Sequence, residues 1–291
     1  MLTYWAYRLA SWLAPLLPRP LAYALCDLLG ELAYRLGGAA RRAVRANLWH
    51  VFHGWPPERV VREAFRSQAR NYLDTFVIPS LTPEALSRWA TVDGLEHLDA
   101  ALARERGVIL AGAHMGSPSL AAQVLGERGL QLTVVVEPIE PPTLFELINH
   151  QRGARGLHMV PLNEPAITRR LIRELRSNHA IGLMLDRELT STGALIPFFD
   201  APAMLSTGAA TLSLLTGAAV CPSLSLRRPD GLVHGIIDPA IDFTPSGDRQ
   251  ADVLALTRLI VERLEYYIEQ APGQWTLFVP VWNRPLESPR C

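Results

Sequence analysis

The chain has 291 residues, of which 49% are hydrophobic and 19% are charged, and its formal net charge at pH 7 is zero. A zero net charge excludes a bulk electrostatic attraction to nucleic acid. The charged fraction lies below the roughly 25% of ordinary domains, which fits either a large buried core or contact with a membrane. The cysteines Cys26, Cys221 and Cys291 form no C-x-x-C pair, so we expect no disulfide framework, no metal site and a reducing compartment.

The N-terminal segment is predicted to lie on a membrane rather than to cross it. The apolar run 9–17 is broken by prolines, and the run 21–36 carries three charges, so neither suits a signal peptide or a membrane span. Six apolar residues nevertheless share one helical stripe: Leu2, Trp5, Leu9, Trp12, Leu13 and Leu16. Tryptophans on such a stripe are typical of an interfacial helix. The alternative is that the stripe packs against the domain behind it.

Charged residues recur at helical spacing in the next two predicted helices. Asp27, Glu31 and Arg35 follow one another every four residues and form a polar line on an otherwise apolar helix. After Pro56 and Pro57, four arginines share one helix face: Arg59, Arg62, Arg66 and Arg70. This arginine strip fits two interpretations. It is either a surface for anionic headgroups or a cofactor phosphate, or a solvated face paired with Glu58 and Glu63.

From residue 107 onward, short apolar runs alternate with helical stretches. The strands are predicted at 108–111, 133–136, 158–161, 181–185, 220–226 and 233–237. The helices are predicted at 120–129, 143–155, 166–178, 207–216 and 252–269. This alternation predicts an α/β fold with a mainly parallel central sheet flanked by helices. Ligands of such sheets bind beyond the carboxyl ends of the strands.

Polar side chains follow three of the predicted strands at that edge. His114 lies just past the first strand, and Glu137 directly follows the second. The run Asp186-Arg187-Glu188 directly follows the strand at 181–185, and Arg152 lies on the helix after Glu137. Together these residues predict a site for an anionic substrate. Arg152 is expected to hold either a phosphate or Glu137, and Gly208 opens the helix at 207–216, where a free N-terminus favours an anion.

Several blocks of sequence carry a resemblance to a known family. These blocks are Leu185-Asp186-Arg187-Glu188-Leu189-Thr190 with Gly193, Pro197-Phe198-Phe199 with Ala201-Pro202-Ala203, Thr207-Gly208-Ala209-Ala210, Ala271-Pro272-Gly273-Gln274-Trp275, and Arg45-x-Asn47-Leu48. Taken in chain order, these blocks resemble the lysophospholipid acyltransferase superfamily, in the branch of the lipid A biosynthesis acyltransferases. Within the branch, the chain is most similar to phosphatidylinositol mannoside acyltransferases.

The resemblance implies a fold, a reaction and roles for residues. It implies a glycerolipid acyltransferase-like fold and transfer of an acyl chain from acyl-CoA or acyl carrier protein to a lipid or glycolipid hydroxyl, with no further cofactor. The family motif H-x-x-x-x-D/E pairs a general base with an acid that fixes its tautomer. His114 matches the base, whereas Ser119 stands at the position of the acid. The resemblance also implies that Glu137 and Arg152 bind substrate, and we group Asp186, Arg187, Glu188 and Gly208 with them.

Ser119 leaves three interpretations open. In the first, the site is active and another carboxylate, Glu137 or Asp186, or a water orients His114. In the second, the protein is a catalytically impaired pseudoenzyme that binds acyl-lipid or acyl-CoA. In the third, the serine is a sequence change. A hydroxyl cannot balance an imidazolium charge, so a site that relied on Ser119 alone would be slow.

We therefore expect one acyltransferase domain spanning 1–291. Residues 1–90 are predicted to form a helical, membrane-associating part, and 91–291 an α/β catalytic core. The protein is expected to be peripheral or monotopic on the cytoplasmic face of the cell membrane. Its expected partners are the acyl donor, the lipid acceptor and the membrane surface, and not nucleic acid.

Overall fold

The computed structural model describes residues 2–282 and the side chains of 3–282. Met1 and the last nine residues of the predicted domain, which include Cys291, lie outside this range, as does the side chain of Leu2. In chain order the helices are α1 Leu2–Leu13, α2 Arg19–Leu36, α3 Gly38–Val51, α4 Glu58–Val77, α5 Pro83–Leu86, α6 Leu95–Leu102, α7 Pro118–Glu127, α8 Pro142–Arg152, α9 Ile167–Arg176, α10 Gly208–Thr216 and α11 Arg249–Gln270. Proline at the first helical position starts α7 and α8, where its missing N–H removes no helical hydrogen bond.

The strands form one seven-stranded sheet and a separate hairpin. They are β1 Ala90–Asp93, β2 Val108–Gly112, β3 Leu132–Val136, β4 His158–Pro161, β5 Ala180–Met184, β6 Ala194–Phe198, β7 Ala201–Leu205, β8 Ala219–Arg227 and β9 Val233–Ile237. The sheet order is β1-β9-β8-β2-β5-β3-β4, and the only antiparallel pair that the described residues form in this sheet is β8 with β9. The predicted α/β class and mainly parallel sheet are confirmed.

The sheet is buried on both faces. Alternate residues of β2 point to opposite sides: Ile109 and Ala111 join a core that also holds residues of α4, α9, α10 and α11. Val108 and Leu110 join a second core with residues of α6 and α7. This double burial explains why the predicted strands read as continuous apolar runs.

All six predicted strands are present, within one or two residues at each end. The prediction missed β1 and the hairpin of β6 and β7. The hairpin pairs Pro197 with Pro202, and proline lacks the N–H that a sheet interior requires, so the sequence argues against a strand there. A two-stranded hairpin outside the main sheet tolerates both prolines.

Helix α2 has its polar side facing the protein and its apolar side facing outward. Its buried residues are small or aromatic and recur every four positions: Ala22, Cys26, Gly30 and Tyr34. A Cβ at Gly30 would lie 2.7 Å from the Cα of Arg66, so only glycine permits this close approach to α4. The leucines of the other side are exposed, with Leu28 at 66% and Leu36 at 77%.

The predicted stripe of α1 is exposed as well. Trp5, Leu9, Trp12, Leu13 and Leu16 all face outward, and Trp12 is 69% exposed. The alternative prediction, that the stripe packs against the domain behind it, is therefore wrong for these five residues. Together with Leu17, Leu21, Leu25, Leu28, Leu29, Leu32 and Leu36 of the following segment, they form the outer apolar face. No described helix is both long enough and apolar enough to cross a membrane.

The arginine strip of α4 lies against the polar line of α2, a partner that neither interpretation of the strip predicted. Arg70 contacts Asp27 at 2.6 Å and Glu63 at 2.8 Å. Arg62 and Arg66 both contact Glu31, at 3.3 and 3.5 Å. Three arginines of the strip thus form an interhelical ion-pair layer. Arg59, the fourth, is exposed and has no described ion pair. Of the two predicted acidic partners, Glu63 pairs with Arg66 and Arg70, while Glu58 pairs with Arg45.

A buried ion pair ties this helical layer to the sheet. Asp74 of α4 is fully buried and pairs with Arg227 at the end of β8. The hydroxyl of Tyr23 on α2 donates to the same carboxylate at 2.9 Å. Removing either charge would leave the other one buried and unpaired, which is costly. This pair therefore fixes α2 and α4 relative to β8.

Arg70→Met tests the ion-pair layer. Because the substitution leaves Asp27 and Glu63 without this cation, we expect it to lower the free energy of unfolding by about 1–2 kcal/mol, a value reduced for the partial exposure of both acids. The measurement is the denaturant midpoint, with Arg59→Met as the matched control on the exposed side of the same helix. The difference should shrink at high salt. Equal midpoints for the two variants would contradict the assignment.

Candidate active site

The register between β2 and β5 brings together two polar residues that are far apart in sequence. Gly112 pairs with Met184 in this parallel ladder, and the amide N–H of Leu185 donates to the carbonyl of Gly112 at 2.9 Å. His114 and Asp186 each lie two residues beyond that pair. Since parallel strands end at the same edge, both side chains emerge at the carboxyl edge of the sheet.

His114 is oriented by Asp186. Nδ1 of the imidazole lies 2.7 Å from Oδ1 of Asp186, and the backbone N–H of His114 donates to Oδ2 at 2.9 Å. The indole N–H of Trp275 donates to the same Oδ2 at 2.8 Å. An ionised carboxylate only accepts hydrogen bonds, so the proton of the neutral imidazole lies on Nδ1. Nε2 is then left as an unprotonated base.

The loop that carries His114 is held close to the sheet. Gly116 has φ of +61°, and a Cβ there would lie 2.0 Å from the carbonyl oxygen of Ser225. Only glycine fits this position. The carbonyl of His114 accepts from the backbone N–H of Thr276 at 2.8 Å. The segment after α11 therefore also holds this loop.

The pair shifts the pKa of each partner in opposite directions. Burial by itself would lower the pKa of the His114 imidazole, but the charge and hydrogen bond of Asp186 raise it above the ordinary value of 6.5. Burial by itself would raise the pKa of Asp186, but His114 and the indole of Trp275 lower it below the ordinary value of 3.8. Asp186 is therefore ionised near neutral pH, and His114 becomes a free base only above its raised pKa.

The other carboxylate considered for this role lies elsewhere. Glu137 forms an ion pair with Arg187, at 2.9 Å between Oε1 and the guanidinium. Of the contacts that the structure describes, none joins the hydroxyl of Ser119 to His114. Ser119 is the second residue of α7, and its carbonyl accepts from the side chain of Gln123. Asp186, grouped with the substrate-binding residues in the sequence analysis, is thus the residue that contacts His114.

Arg152 does not pair with Glu137, one of the two partners expected for it. No described carboxylate forms an ion pair with it, and its Nε is buried without a hydrogen-bond partner among the described residues. Burial lowers the pKa of its guanidinium, while Tyr7 and Tyr72 act in the opposite direction. An uncompensated cation of this kind is costly in a protein interior unless a ligand supplies the anion.

The remaining predicted site residues contact their own loops. Glu188 accepts from the hydroxyl of Thr190 at 2.6 Å and also from the amide N–H of that residue. Gly208 begins α10, and its N–H donates to the hydroxyl of Ser206 at 3.3 Å. Gly208 nevertheless lines the cavity described next, whereas Glu188 shapes the loop that borders it.

A cavity of about 860 Å³ opens beside His114, within the usual size range of small-molecule sites. Its polar end is lined by His114, Ser119, Glu137, Arg152, Arg187 and Thr207. Its apolar arm extends between the sheet and helices α7 and α8, lined by Leu110, Leu125, Leu132, Val134, Ile148 and Leu157. Tyr7 of α1 and Tyr72 of α4 also line the cavity, so the N-terminal helices form part of its wall.

Sequence reasoning missed three contributors to this site. Trp275 was noted only as part of a sequence block, and nothing in its pattern shows that it reaches Asp186. Tyr7 lies off the apolar stripe of α1, a position that ordinarily indicates a solvent-facing residue. Thr276 donates to the carbonyl of His114 from its backbone N–H and from its hydroxyl at 3.2 Å, and a lone threonine in the sequence gives no signal of such a contact.

The chain is similar to several known proteins over most of its length. The chain matches the family model described as bacterial lipid A biosynthesis acyltransferase over residues 1–284. It is 31% identical over 297 residues to a phosphatidylinositol mannoside acyltransferase of Mycobacterium tuberculosis, covering 99% of this chain and 91% of that protein. A protein of the same name from Mycolicibacterium smegmatis is 29% identical over 97% of this chain and 92% of its own length. The lipid A biosynthesis lauroyltransferase of Escherichia coli is 26% identical, covering 91% of this chain and 86% of that protein.

Asp186→Asn tests the pairing without any assay of activity. The amide cannot balance an imidazolium, so the pKa of His114 is expected to fall, because the charge of Asp186 no longer opposes the effect of burial. The measurement is an NMR pH titration of the imidazole carbon-bound protons, with His114 assigned by comparison with His114→Ala. Glu137→Gln is the matched carboxylate control and should cause the smaller change. A larger shift in Glu137→Gln would identify Glu137 as the true partner.

Proposed function

Because the chain belongs to the bacterial lipid A biosynthesis acyltransferase family, we propose that it transfers a fatty acyl chain from a thioester donor, acyl-CoA or acyl carrier protein, to a hydroxyl of a membrane glycolipid. The observation that carries this proposal is a His–Asp pair whose histidine lines a cavity with an apolar arm. The apolar arm suits the acyl chain, and the polar end suits the two groups that react.

The reaction follows from the orientation of the imidazole. Nε2 of His114 accepts the proton of the acceptor hydroxyl as its oxygen attacks the thioester carbonyl carbon. The tetrahedral intermediate collapses to the ester, the carbon–sulfur bond breaks, and the departing thiolate takes the proton from the imidazolium. Asp186 remains ionised throughout and stabilises the imidazolium. No covalent enzyme intermediate and no further cofactor is required.

Ser119 does not argue against activity in this geometry. The acid of the family motif is needed to fix the tautomer of the base, and Asp186 already bonds Nδ1 of His114. This arrangement supports the interpretation in which another carboxylate orients the base. The competing proposal, a pseudoenzyme that only binds acyl-lipid, gives no reason for a fully buried aspartate aimed at the histidine.

The acceptor that we propose is a glycosylated phospholipid. The mycobacterial relatives are named for a phosphatidylinositol mannoside, a lipid that carries both a phosphate and sugar hydroxyls. The buried guanidinium of Arg152, without a described carboxylate partner at the polar end of the cavity, suits a phosphate of such an acceptor or of the donor.

The outer apolar face supports attachment to the membrane surface. An amphipathic helix of a soluble protein turns its apolar side inward, whereas α2 pairs its acids with α4 and exposes its leucines. Exposed apolar patches of this extent mark interaction surfaces. We propose that α1 and α2 lie in the headgroup region on the cytoplasmic side, where CoA and carrier-protein thioesters are made. This placement also brings Tyr7, and with it the cavity, to the lipid surface.

The direct test is acyl transfer by the purified protein from palmitoyl-CoA or palmitoyl carrier protein to phosphatidylinositol mannoside in vesicles. We expect thiol release that depends on the acceptor and an acylated lipid product. His114→Ala should abolish both, and Asp186→Asn should reduce the rate by about 10²- to 10⁴-fold, as for the orienting acid of a serine protease. Ser119→Ala should retain most of the rate.

The control for that assay is His158→Ala, which changes an exposed histidine of β4. The acid limb of the pH–rate profile should lie above pH 6.5, because the base must be neutral and Asp186 raises its pKa. Lipid binding without any product from either donor would support the pseudoenzyme. A large loss of rate in Ser119→Ala together with a normal rate in Asp186→Asn would instead assign the orienting role to the hydroxyl of Ser119.

Membrane attachment is tested by flotation with anionic lipid vesicles. The double variant Trp12→Glu/Leu28→Glu changes two side chains that are 69% and 66% exposed, so the fold should persist. It should bind vesicles at least ten-fold more weakly, because each large apolar side chain gains about 1.5–3 kcal/mol on burial. The matched control replaces the exposed leucines of α11, Leu254 and Leu259, with glutamate. An equal loss of vesicle binding in both double variants would contradict attachment through α1 and α2.

A further inference from the structure

The residue that completes the hydrogen bonding of Asp186 comes from the segment after α11. We propose that Trp275 is a positioning residue for acyl transfer: its indole N–H holds the Asp186 carboxylate in the one orientation that keeps the proton of His114 on Nδ1. The expected effect of Trp275 on the reaction rate rests on the proposed function. Its expected effect on the tautomer of His114 does not.

The carboxylate of Asp186 is held at both oxygens. Oδ1 faces Nδ1 of His114, while Oδ2 accepts from the backbone N–H of His114 and from Nε1 of Trp275. The terminal torsion of an aspartate side chain has broad, two-fold preferences and does not fix the group by itself. Without the indole, Oδ2 keeps a single described donor. The side chain of Asp186 is fully buried, so water does not replace the lost hydrogen bond.

The indole itself is fixed in position. Trp275 is only 2% exposed, and its ring packs edge-on against Phe198, with centroids 5.9 Å apart and planes at 90°. An edge-on aromatic contact fixes the ring plane. The N–H therefore points in a defined direction before any substrate binds, as an orienting group must.

The same segment holds the backbone of the histidine loop. Trp275 forms an antiparallel bridge with Met115, and the N–H of Thr276 donates to the carbonyl of His114. The N–H of Gly116 donates to the carbonyl of Gln274 at 3.1 Å. One short segment thus holds both members of the pair, the base through its backbone and the acid through its side chain.

The segment is anchored on its far side to the sheet and to the helical layer. The side-chain amide of Gln274 accepts from the N–H of Arg227 at 2.6 Å and donates to its carbonyl at 2.8 Å. The hydroxyl of Ser67 on α4 donates to the carbonyl of Gly273 at 3.1 Å. The position of Trp275 is therefore set by β8 and α4 together.

The chain offers a matched control. Trp282 is also buried, at 7% exposure, and also packs on Phe198. Its indole N–H points to the carbonyl of Ala201 at 3.4 Å and makes no described contact with Asp186 or His114. Trp282→Phe therefore removes a buried indole N–H and comparable volume without touching the pair.

The first measurement is the tautomer of His114 by ¹⁵N NMR, compared between Trp275→Phe and Trp282→Phe. We expect nearly complete Nδ1–H protonation of the neutral ring in the native protein and in Trp282→Phe, and a mixture of tautomers in Trp275→Phe. If Trp275→Phe proves too unstable, 3-benzothienylalanine at position 275 keeps the bicyclic shape and lacks the N–H. An unchanged tautomer in the folded variant would overturn the proposal.

The second measurement is a kinetic double-variant cycle with Asp186→Asn. Trp275→Phe should lower kcat by about 10- to 100-fold, the effect of one hydrogen bond to a buried charge, while KM stays close to native. In the Asp186→Asn background the same substitution should cost little, because residues that act through one another are not additive. An equal loss in both backgrounds would make Trp275 merely structural. If the native protein transfers no acyl chain, the tautomer measurement still decides the role of Trp275, and only the proposed function fails.

Discussion

The hydrogen-bonded register between β2 and β5 is the constraint on which the rest of the site depends. It aligns Gly112 with Met184, so the residues two positions later, His114 and Asp186, meet at the carboxyl edge. Once the carboxylate bonds Nδ1, the imidazole has one tautomer and one free nitrogen. His114 lines the cavity together with Glu137 and Arg187, and Trp275 donates to the carboxylate that orients it.

The N-terminal helices show a second constraint, the inverted polarity of α2. Ion pairs between Arg70 and Asp27, and between Glu31 and two arginines, attach the polar side of α2 to α4. The buried pair of Asp74 and Arg227 then fixes α4 to β8. Since the attachment uses charges, the leucines of α2 are left facing outward. The ion-pair layer and the outer apolar face are two consequences of one arrangement. The neighbouring helices α1 and α4 carry Tyr7 and Tyr72, which line the cavity.

Sequence periodicity was sufficient to place His114, Glu137 and Asp186 each at the end of a strand, because buried parallel strands leave continuous apolar runs. It left Glu137 and Asp186 equal as partners of His114. The strand order separates them: β5 lies directly beside β2, and β3 lies one strand further. The arginine strip shows the same limit. Helical spacing identified its four members but gave no information on the neighbouring helix, so the pairing with Asp27 and Glu31 was not foreseen.

By itself, the sequence determined the mainly parallel α/β class and the family, placed six apolar residues on one stripe of α1 and predicted His114 as the base. These are local patterns or ordered blocks, and each can be read within a window of a few turns. Only the tertiary structure decided that Asp186 orients His114, that Trp275 orients Asp186, and that the polar line of α2 faces inward. Each of those contacts joins residues separated by at least 31 positions along the chain. Strand order and helix packing set such contacts, and neither leaves a periodic signal in the residues that it brings together.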